Sequence, residues 1–420
     1  MRLKPRPRIS VLARRRGAWL AVLLACVAWC CAPGPPVAAA IRVHRAVRAG
    51  LDVLEEQHFA ELRGKRVGLI TNQTGLGRSG RTGIELLARA PGVTLVALFS
   101  PEHGLVGSND ARVSTSRDPA SGLPVYSLYG DTLRPTDAML QGVDALVFDI
   151  QDAGVRFYTY ITTMAYCMEE AAKRHIPFYV LDRPNPLGGE ILEGPMVDPG
   201  RLSFTAYFPM PVRHGMTVGE LAQMFNAENR MGCDLRVIAM KGWKRRYFYQ
   251  DTGLRWIPPS PNLRTPNGAV LYPGLEILQS AGISVGRGTQ LPFEQIGAPW
   301  IDAETLAGEL GRRNLPGVRV RTAQFIPTNG PHAGRICRGV RFQVANRRAV
   351  RSMRNGIEIA LALKKLYPNE FDAAKLLVLL GNAATVHQVE EGKSAEEIAA
   401  GWERDLRTFE QTRAKYLLYR

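Results

Sequence analysis

Several familiar enzyme motifs are missing from this sequence. It contains no Gly-x-Ser-x-Gly nucleophile elbow, no Walker-type phosphate loop and no His-Glu-x-x-His zinc helix. Cysteine is scarce, with six in 420 residues, and no cysteine and histidine residues have the spacing of zinc ligands. These absences argue against an elbow-type serine hydrolase, a P-loop nucleotidase and a zinc enzyme. Internal repeats are absent too, which excludes a solenoid.

Blocks of basic residues are also rare, although the formal charge is +16. Seven of the 54 Lys and Arg residues lie in the first 16 positions, and the other 47 are set against 38 Asp and Glu residues. The run Lys244–Tyr247 is more typical of a solvated surface than of a nucleic-acid site. We therefore expect no nucleic-acid partner, whereas a moderately basic cleft would favour an anionic ligand.

The apolar stretch Ala18–Ala28 is too short to span a membrane comfortably, since a spanning helix needs about 20 residues. It follows a basic segment and precedes Val37–Ala40, which is typical of a signal peptide cleaved near Ala39 or Ala40. Leu23–Cys26 also resembles a bacterial lipobox, so lipid attachment at Cys26 is an alternative. We expect residues 1–40 to be a leader and the mature protein to be extracytoplasmic, either periplasmic or secreted. It would contact the membrane only through a lipid at Cys26.

Three cysteines remain beyond this leader: Cys167, Cys233 and Cys337. Their odd number and wide spacing do not form a disulfide framework, which favours three buried thiols over one disulfide and one thiol. The sequence leaves the oligomeric state open.

The chain is long enough for two domains. From residue 65 to 240, segments typical of strands alternate with segments typical of helices, which predicts a parallel sheet covered by helices. We predict an α/β fold: a Rossmann-like domain over 41–265, followed by a smaller α/β domain over 266–420 that completes the cleft. The segment 183–215 is rich in Pro and Gly and is expected to form binding loops. The proline-rich stretch between Trp256 and Pro273 is interpreted as the seam between the two domains.

Three carboxylates follow predicted strands. Glu102 comes after Val93–Ser100, and Asp149 and Asp152 end or follow Ala145–Ile150. Because the carboxyl ends of parallel strands meet at one edge of a sheet, these side chains are expected to converge on one crevice. Paired carboxylates beside aromatic rings favour glycosidic-bond chemistry, with Glu102 as general acid tuned by His103.

Each of these carboxylates also has a simpler interpretation. Glu102 can stabilise the first turn of a helix after Pro101, and Asp149 or Asp152 can cap a turn. All three can ligate a hard cation such as magnesium, but Arg156 and the phenols that follow fit a sugar or a carboxylate better.

Polar side chains near the same predicted strand ends are candidates for binding the substrate through hydroxyl, acetamido and carboxylate groups. They are Asn72, Arg156, Tyr158, Asp182, Arg183, Asn185, His214, Asn262 and Arg287.

The loop Gly75–Gly80 matches Gly-x-Gly-x-x-Gly after a strand, which is the dinucleotide fingerprint. However, Thr71–Thr74 separates the strand from the first glycine, whereas the fingerprint needs that glycine in the turn leaving the strand. The dinucleotide interpretation is therefore the weaker one.

Seven strings, in this order along the chain, carry a family resemblance: Val67–Gly75, Ser100–Gly104, Phe148–Tyr160, Asp182–Pro186, Pro211–Gly215, Pro259–Asn262 and Gly286–Thr289. Together they resemble the YbbC/NamZ family of bacterial exo-β-N-acetylmuramidases from about residue 45 to the C-terminus. The resemblance implies a Rossmann-like domain, a smaller C-terminal domain and an active site between them. It also implies release of terminal β-linked N-acetylmuramic acid from peptidoglycan fragments, with no cofactor and no metal.

The same resemblance implies that Glu102 is the catalytic acid, while the second carboxylate stays open between Asp149 and Asp152. Three alternatives remain at this point. They are a non-catalytic sugar-binding lipoprotein, a metal-dependent hydrolase built on Glu102, Asp149 and Asp152, and a dinucleotide oxidoreductase.

Overall fold

The computed structural model describes residues 46–107 and 114–420. The predicted leader, its cleavage site and Cys26 lie outside this part of the chain. No helix among the described residues is both long and apolar enough to cross a membrane.

A seven-stranded sheet forms the centre of the first half. Its strands lie in the order β3-β4-β2-β1-β5-β6-β9, and all neighbours are parallel except the short β3. They are β1 (Arg66–Thr71), β2 (Thr94–Ser100), β3 (Ser116–Arg117), β4 (Pro124–Ser127), β5 (Ala145–Asp149), β6 (Phe178–Leu181) and β9 (Leu235–Ile238). Strands β5 and β6 are buried throughout, as expected for a sheet with both faces covered.

Helices cover this sheet and connect its strands. They are α1 (Gly50–Glu56), α2 (Gly83–Ala88), α3 (Asp137–Leu140), α4 (Tyr160–Lys173) and α5 (Val218–Glu228). Thr82 and Thr217 begin α2 and α5 with capping boxes, in which a Glu three residues later accepts the cap's backbone N–H. The predicted parallel α/β sheet is therefore confirmed.

The second half is smaller and contains an antiparallel sheet in the order β10-β12-β11, packed against helices. Its elements are α6 (Pro266–Ser280), β10 (Gln295–Ala298), α7 (Ala303–Arg313), β11 (Val318–Phe325), β12 (Cys337–Val344), α8 (Ser352–Leu366), α9 (Leu377–Leu380), α10 (Ala383–Glu390), α11 (Ala395–Ala400) and α12 (Glu403–Ala414). The predicted boundary at 265/266 stays a prediction, and α6 begins there.

The structure adds detail to two segments singled out in the sequence. The segment 183–215 is not wholly irregular, because β7 (Glu193–Met196) and β8 (Pro211–Arg213) pair within it. Helix α6 begins at Pro266 and continues through Pro273, so it includes the second part of the proline-rich stretch, and the seam itself stays a prediction.

Close packing accounts for the Pro-Gly pair in α6. A Cβ on Gly274 would lie 1.9 Å from the Ser352 carbonyl oxygen of α8, so only glycine permits this crossing. Cys167, Cys233 and Cys337 are free and buried, which confirms the predicted thiols.

Candidate active site

Glu102 lies at the carboxyl end of β2, one residue past Pro101, and its side chain is half-buried. Its Oε2 accepts a 2.5 Å hydrogen bond from Thr159 Oγ1, at the start of α4. No basic side chain among the described residues forms an ion pair with it. One carboxylate oxygen is thus positioned by a hydroxyl while the group keeps access to solvent, as a general acid requires.

An aromatic cluster lies beside Glu102. The Tyr160 hydroxyl donates to the Pro259 carbonyl at 2.6 Å and lies 3.4 Å from the Glu102 carbonyl oxygen. The Tyr158 ring meets the rings of Tyr160 and Tyr272 edge-on, with centroids 4.8 and 5.9 Å apart. Burial raises the pKa of all three phenols, and Glu102 adds to each shift, so they remain neutral hydrogen-bonding groups near this carboxylate.

Loops from both halves of the chain complete the site. Asn72 lies against the Tyr160 hydroxyl, and Ser260 lies against the Tyr158 hydroxyl. Asn262 Oδ1 accepts the Gly288 backbone N–H at 3.1 Å, which ties the Pro259–Asn262 string to the Gly286–Thr289 string. Three of the predicted substrate contacts, Asn72, Tyr158 and Asn262, thus lie in the loops around this site. Arg287 directly precedes Gly288 in the loop that Asn262 contacts.

Glu276 is a second carboxylate at this site that the sequence analysis missed. It lies on α6, one turn after Tyr272, and its Oε1 accepts a 2.6 Å hydrogen bond from Arg287 Nη2. Its Oε2 is buried and has no hydrogen-bond partner among the described residues. Burial raises the pKa of Glu276, Arg287 opposes the shift, and Glu102 reinforces it. Glu102 and Glu276 are therefore close enough for their charges to interact.

Asp152 is buried near Tyr158 of the aromatic cluster. Its Oδ2 accepts the Gly154 N–H at 2.6 Å and lies 3.8 Å from His214 Nε2, while Oδ1 has no partner among the described residues. Burial raises the pKa of Asp152 to about 7 and lowers that of His214 to about 3. His214 is uncharged at neutral pH, where Asp152 is only partly ionised, so the two side chains do not form an ion pair there.

The raised pKa of Asp152 gives a stability prediction with a definite sign. Between pH values near 4 and 7 the folded protein binds this proton and the unfolded chain does not, so this group makes stability fall as the pH rises. Asp152→Asn removes that dependence, with a ceiling of ~4 kcal/mol for a shift of this size. In urea denaturation, we expect the free energy of unfolding of the variant, relative to that of wild type, to be higher at pH 8 than at pH 5. An equal difference at both pH values would contradict it.

Asp149 does not lie free in the crevice. Its carboxylate, fully buried at the end of β5, accepts a 2.6 Å hydrogen bond from Arg183 Nε. Burial raises the pKa of Asp149, and the short contact with Arg183 opposes this and favours the ionised pair. The pair joins the ends of β5 and β6, which is a structural role rather than that of the second catalytic carboxylate.

Three predicted substrate contacts are also engaged inside the protein. Arg156 donates to the carbonyls of Pro195, Met210, Leu379 and Leu380. Asp182 accepts hydrogen bonds from the Thr217 and Tyr419 hydroxyls and the Gly219 N–H. Asn185 bridges the Met216 carbonyl and the Leu187 N–H. Most of their donors and acceptors are used by the framework, which favours structural roles for these residues over the predicted substrate contacts.

Arg156 gives a test of this assignment. Arg156→Met leaves four buried carbonyls without their donor, and we expect a loss of roughly 3 kcal/mol or more in the free energy of unfolding. Urea denaturation measures this loss, and kcat/KM per folded molecule should stay close to wild type. Unchanged stability together with a raised KM would return Arg156 to the substrate.

His103 follows Glu102 with a positive φ of 70°, an uncommon backbone conformation for a residue other than glycine. This turn directs the chain away from β2 immediately after the carboxylate. Among the described residues, no three His, Cys, Asp or Glu side chains are grouped so as to hold a metal ion. Glu102, Asp149 and Asp152 therefore do not form the cluster that the metal-dependent alternative needs.

Comparison with known proteins places this geometry in a family. Models of the exo-β-N-acetylmuramidase NamZ match residues 67–267 with the N-terminal part and residues 270–419 with the C-terminal part. The peptidoglycan β-N-acetylmuramidase NamZ of Bacillus subtilis (strain 168) is 44% identical over 378 residues, covering 89% of this chain and 91% of that protein.

Two solved structures have the same fold as this chain. Two DUF1343 family proteins from Bacteroides fragilis superpose with TM-scores of 0.83 and 0.73, at 39% and 31% identity. Each alignment covers 89% of this chain and 99% of the other. Glu102 and Glu276 fall in the N-terminal and C-terminal matched regions respectively. By matched models and by identity across its length, the chain belongs to the NamZ family of exo-β-N-acetylmuramidases.

Proposed function

We propose that this protein is an exo-acting glycoside hydrolase that releases terminal β-linked N-acetylmuramic acid from peptidoglycan fragments. Glu102 carries the proposal: it is a half-buried carboxyl positioned by Thr159 and surrounded by tyrosines, in a chain 44% identical to a peptidoglycan β-N-acetylmuramidase. A positioned acid beside aromatic rings is what cleavage of a glycosidic bond requires.

In this mechanism Glu102 protonates the leaving glycosidic oxygen. Thr159 occupies Oε2, so the other oxygen, Oε1, is the one available to carry the proton. The buried tyrosine rings form a rigid wall behind Glu102, and their phenols stay uncharged beside this carboxylate.

We assign the second carboxylate to Glu276. Each of the three buried carboxylates has one oxygen without a partner among the described residues, so their neighbours decide the assignment. Asp149 is paired with Arg183 between two strand ends, and Asp152 has no basic partner that is charged at neutral pH. Glu276 is paired with Arg287, and Glu102 affects its pKa. In this position Glu276 stabilises the positive charge that develops on the sugar, or orients its acetamido group for attack on the anomeric carbon. Burial raises the pKa of Glu276, and Arg287 opposes this and favours the ionised form.

We further propose that the protein acts outside the cytoplasm, after removal of residues 1–40 or after lipid attachment at Cys26. The basic segment and the apolar stretch that follows it support this location, and it is where peptidoglycan fragments arise.

The decisive experiment is hydrolysis of para-nitrophenyl N-acetyl-β-muramide by the purified protein, with and without EDTA. We expect release of N-acetylmuramic acid at the same rate in both. Activity that disappears with EDTA and returns with magnesium would support the metal-dependent alternative. Tight binding of N-acetylmuramic acid without turnover would indicate a sugar-binding protein.

A further inference from the structure

A cavity lies apart from Glu102. It has a volume of about 480 Å³ and lies between the glycine loop and the segment Tyr249–Ile257. We name it the Arg183 cavity; its polar lining includes Asp52, Arg78, Ser79, Gln151, Arg183 and Arg255. Glu102, Thr159 and Glu276 do not line it. Gln73 lies along the chain between Asn72, which is near the tyrosine cluster, and Thr74 of the cavity lining, and its side chain donates to the Pro258 and Pro259 carbonyls.

The cavity lies where ligands bind in open α/β sheets. Its floor is at the carboxyl ends of β1, β5 and β6, and the chain crosses from β1 to β2 on one side and to β5 on the other. Such a switch in strand order leaves a crevice between the outgoing loops. The loop Gly75–Gly80, whose motif the muramidase function does not use, forms one wall of this crevice.

Charge in the cavity favours an anion. Arg183 is 6% exposed; its Nε contacts Asp149 and its Nη2 lies 3.3 Å from the Leu76 carbonyl, while Nη1 has no partner among the described residues. Burial opposes its charge, but Asp149 outweighs burial and raises the pKa of Arg183, so it stays cationic. A buried guanidinium with an unused donor is a strong site for a carboxylate or a phosphate.

Two arginines at the rim of the cavity, Arg78 and Arg255, add to the positive charge of Arg183. Arg78 and Arg255 are exposed at the cavity and form no ion pair with any described residue. Asp52, the acidic residue in the lining, is satisfied by the backbone N–H groups of Ala49 and Arg78. The field in the cavity is therefore positive, and the apolar walls suit the body of a small organic molecule.

A dinucleotide does not fit this site. The fingerprint holds the pyrophosphate at free amides of the following helix, but the first turn of α2 is closed by the capping box of Thr82 and Glu85. Glu85 places a negative charge where the pyrophosphate would lie. The glycine loop thus forms a cavity wall and does not form a diphosphate cradle.

We propose that the Arg183 cavity is a second binding site, which takes a monosaccharide-sized anion and holds its carboxylate or phosphate at Arg183. This site is separate from glycoside cleavage and does not depend on the proposed activity. Rim residues Arg78 and Arg255 attract the anion, and Gln151 and Ser79 provide hydrogen bonds to its uncharged part.

Isothermal titration of the full protein tests this with three probes: N-acetylglucosamine 6-phosphate, N-acetylmuramic acid and neutral N-acetylglucosamine. We expect at least one anion to bind, and the neutral sugar not to compete with it. The double variant Arg78→Gln/Arg255→Gln should weaken that binding about tenfold, because two charges facing the anion are lost. Turnover at Glu102 should be unchanged. The two anions distinguish a phosphate site from a carboxylate site.

Matched variants locate the site. Arg341→Gln/Arg404→Gln removes two exposed arginines elsewhere and should leave the affinity as in wild type. Arg183→Lys keeps a positive charge beside Asp149 but loses the guanidinium donor that is proposed to hold the anion. We expect this variant to bind the anion more weakly, and its melting temperature shows whether it is folded. The proposal is overturned if no anion binds, if the neutral sugar binds equally well, or if the rim variant matches its control.

Discussion

Glu102→Gln is expected to reduce hydrolysis of the muramyl–glucosaminyl disaccharide by roughly a thousandfold, within the range for loss of a general acid. The glutamine keeps the acceptor for Thr159 Oγ1 but has no proton to give to the leaving oxygen. Para-nitrophenol leaves with little protonation, so cleavage of the aryl muramide should fall much less. Comparing kcat/KM for the two substrates therefore tests the proton donor specifically.

Ligand binding separates chemistry from folding in this experiment. The Glu102→Gln variant should bind N-acetylmuramic acid about as wild type does, and Glu370→Gln, at an exposed glutamate far along the chain, should leave both rates unchanged. Equal losses on the two substrates would show that Glu102 does not act as the acid. Unchanged turnover would remove it from the mechanism altogether.

The sequence predicts the first half of this site better than the second. Strand ends are visible from alternating apolar segments, so the position of Glu102 after β2 follows from the pattern alone. The pairing of Asp149 with Arg183 does not, because their relative positions depend on which strands become neighbours. Asp149 and Asp182 are polar residues at strand ends like Glu102, yet their buried partners give them structural roles.

Glu276 was missed for a different reason. Proline and glycine at 273 and 274 usually end a helix, whereas here α6 continues past them and Gly274 lies against the Ser352 carbonyl of α8. That contact joins residues 78 positions apart, and no local pattern predicts it. Because the composition of this stretch was interpreted as a seam between domains, the helix that carries Glu276 was not predicted.

Glu276→Gln tests whether the second carboxylate comes from this helix. We expect kcat to fall by about a hundredfold or more with a smaller change in KM, since the charge is needed when the sugar becomes cationic. Burial raises the pKa of Glu276, so the acidic limb of the kcat/KM profile should lie above the ordinary glutamate range in wild type. In the variant this limb should flatten, because the group that ionises there is gone.

Asp152→Asn is the matched comparison, since it also removes one buried carboxylate beside the aromatic cluster. We expect it to retain most of its turnover, because Asp152 is largely protonated below pH 7 and has no basic partner at neutral pH. Glu276→Asp, which keeps the charge but shortens its reach, should fall between wild type and Glu276→Gln. If Asp152→Asn is inactive while folded Glu276→Gln works normally, the second carboxylate is Asp152, and the reaction is then confined to residues of the N-terminal half.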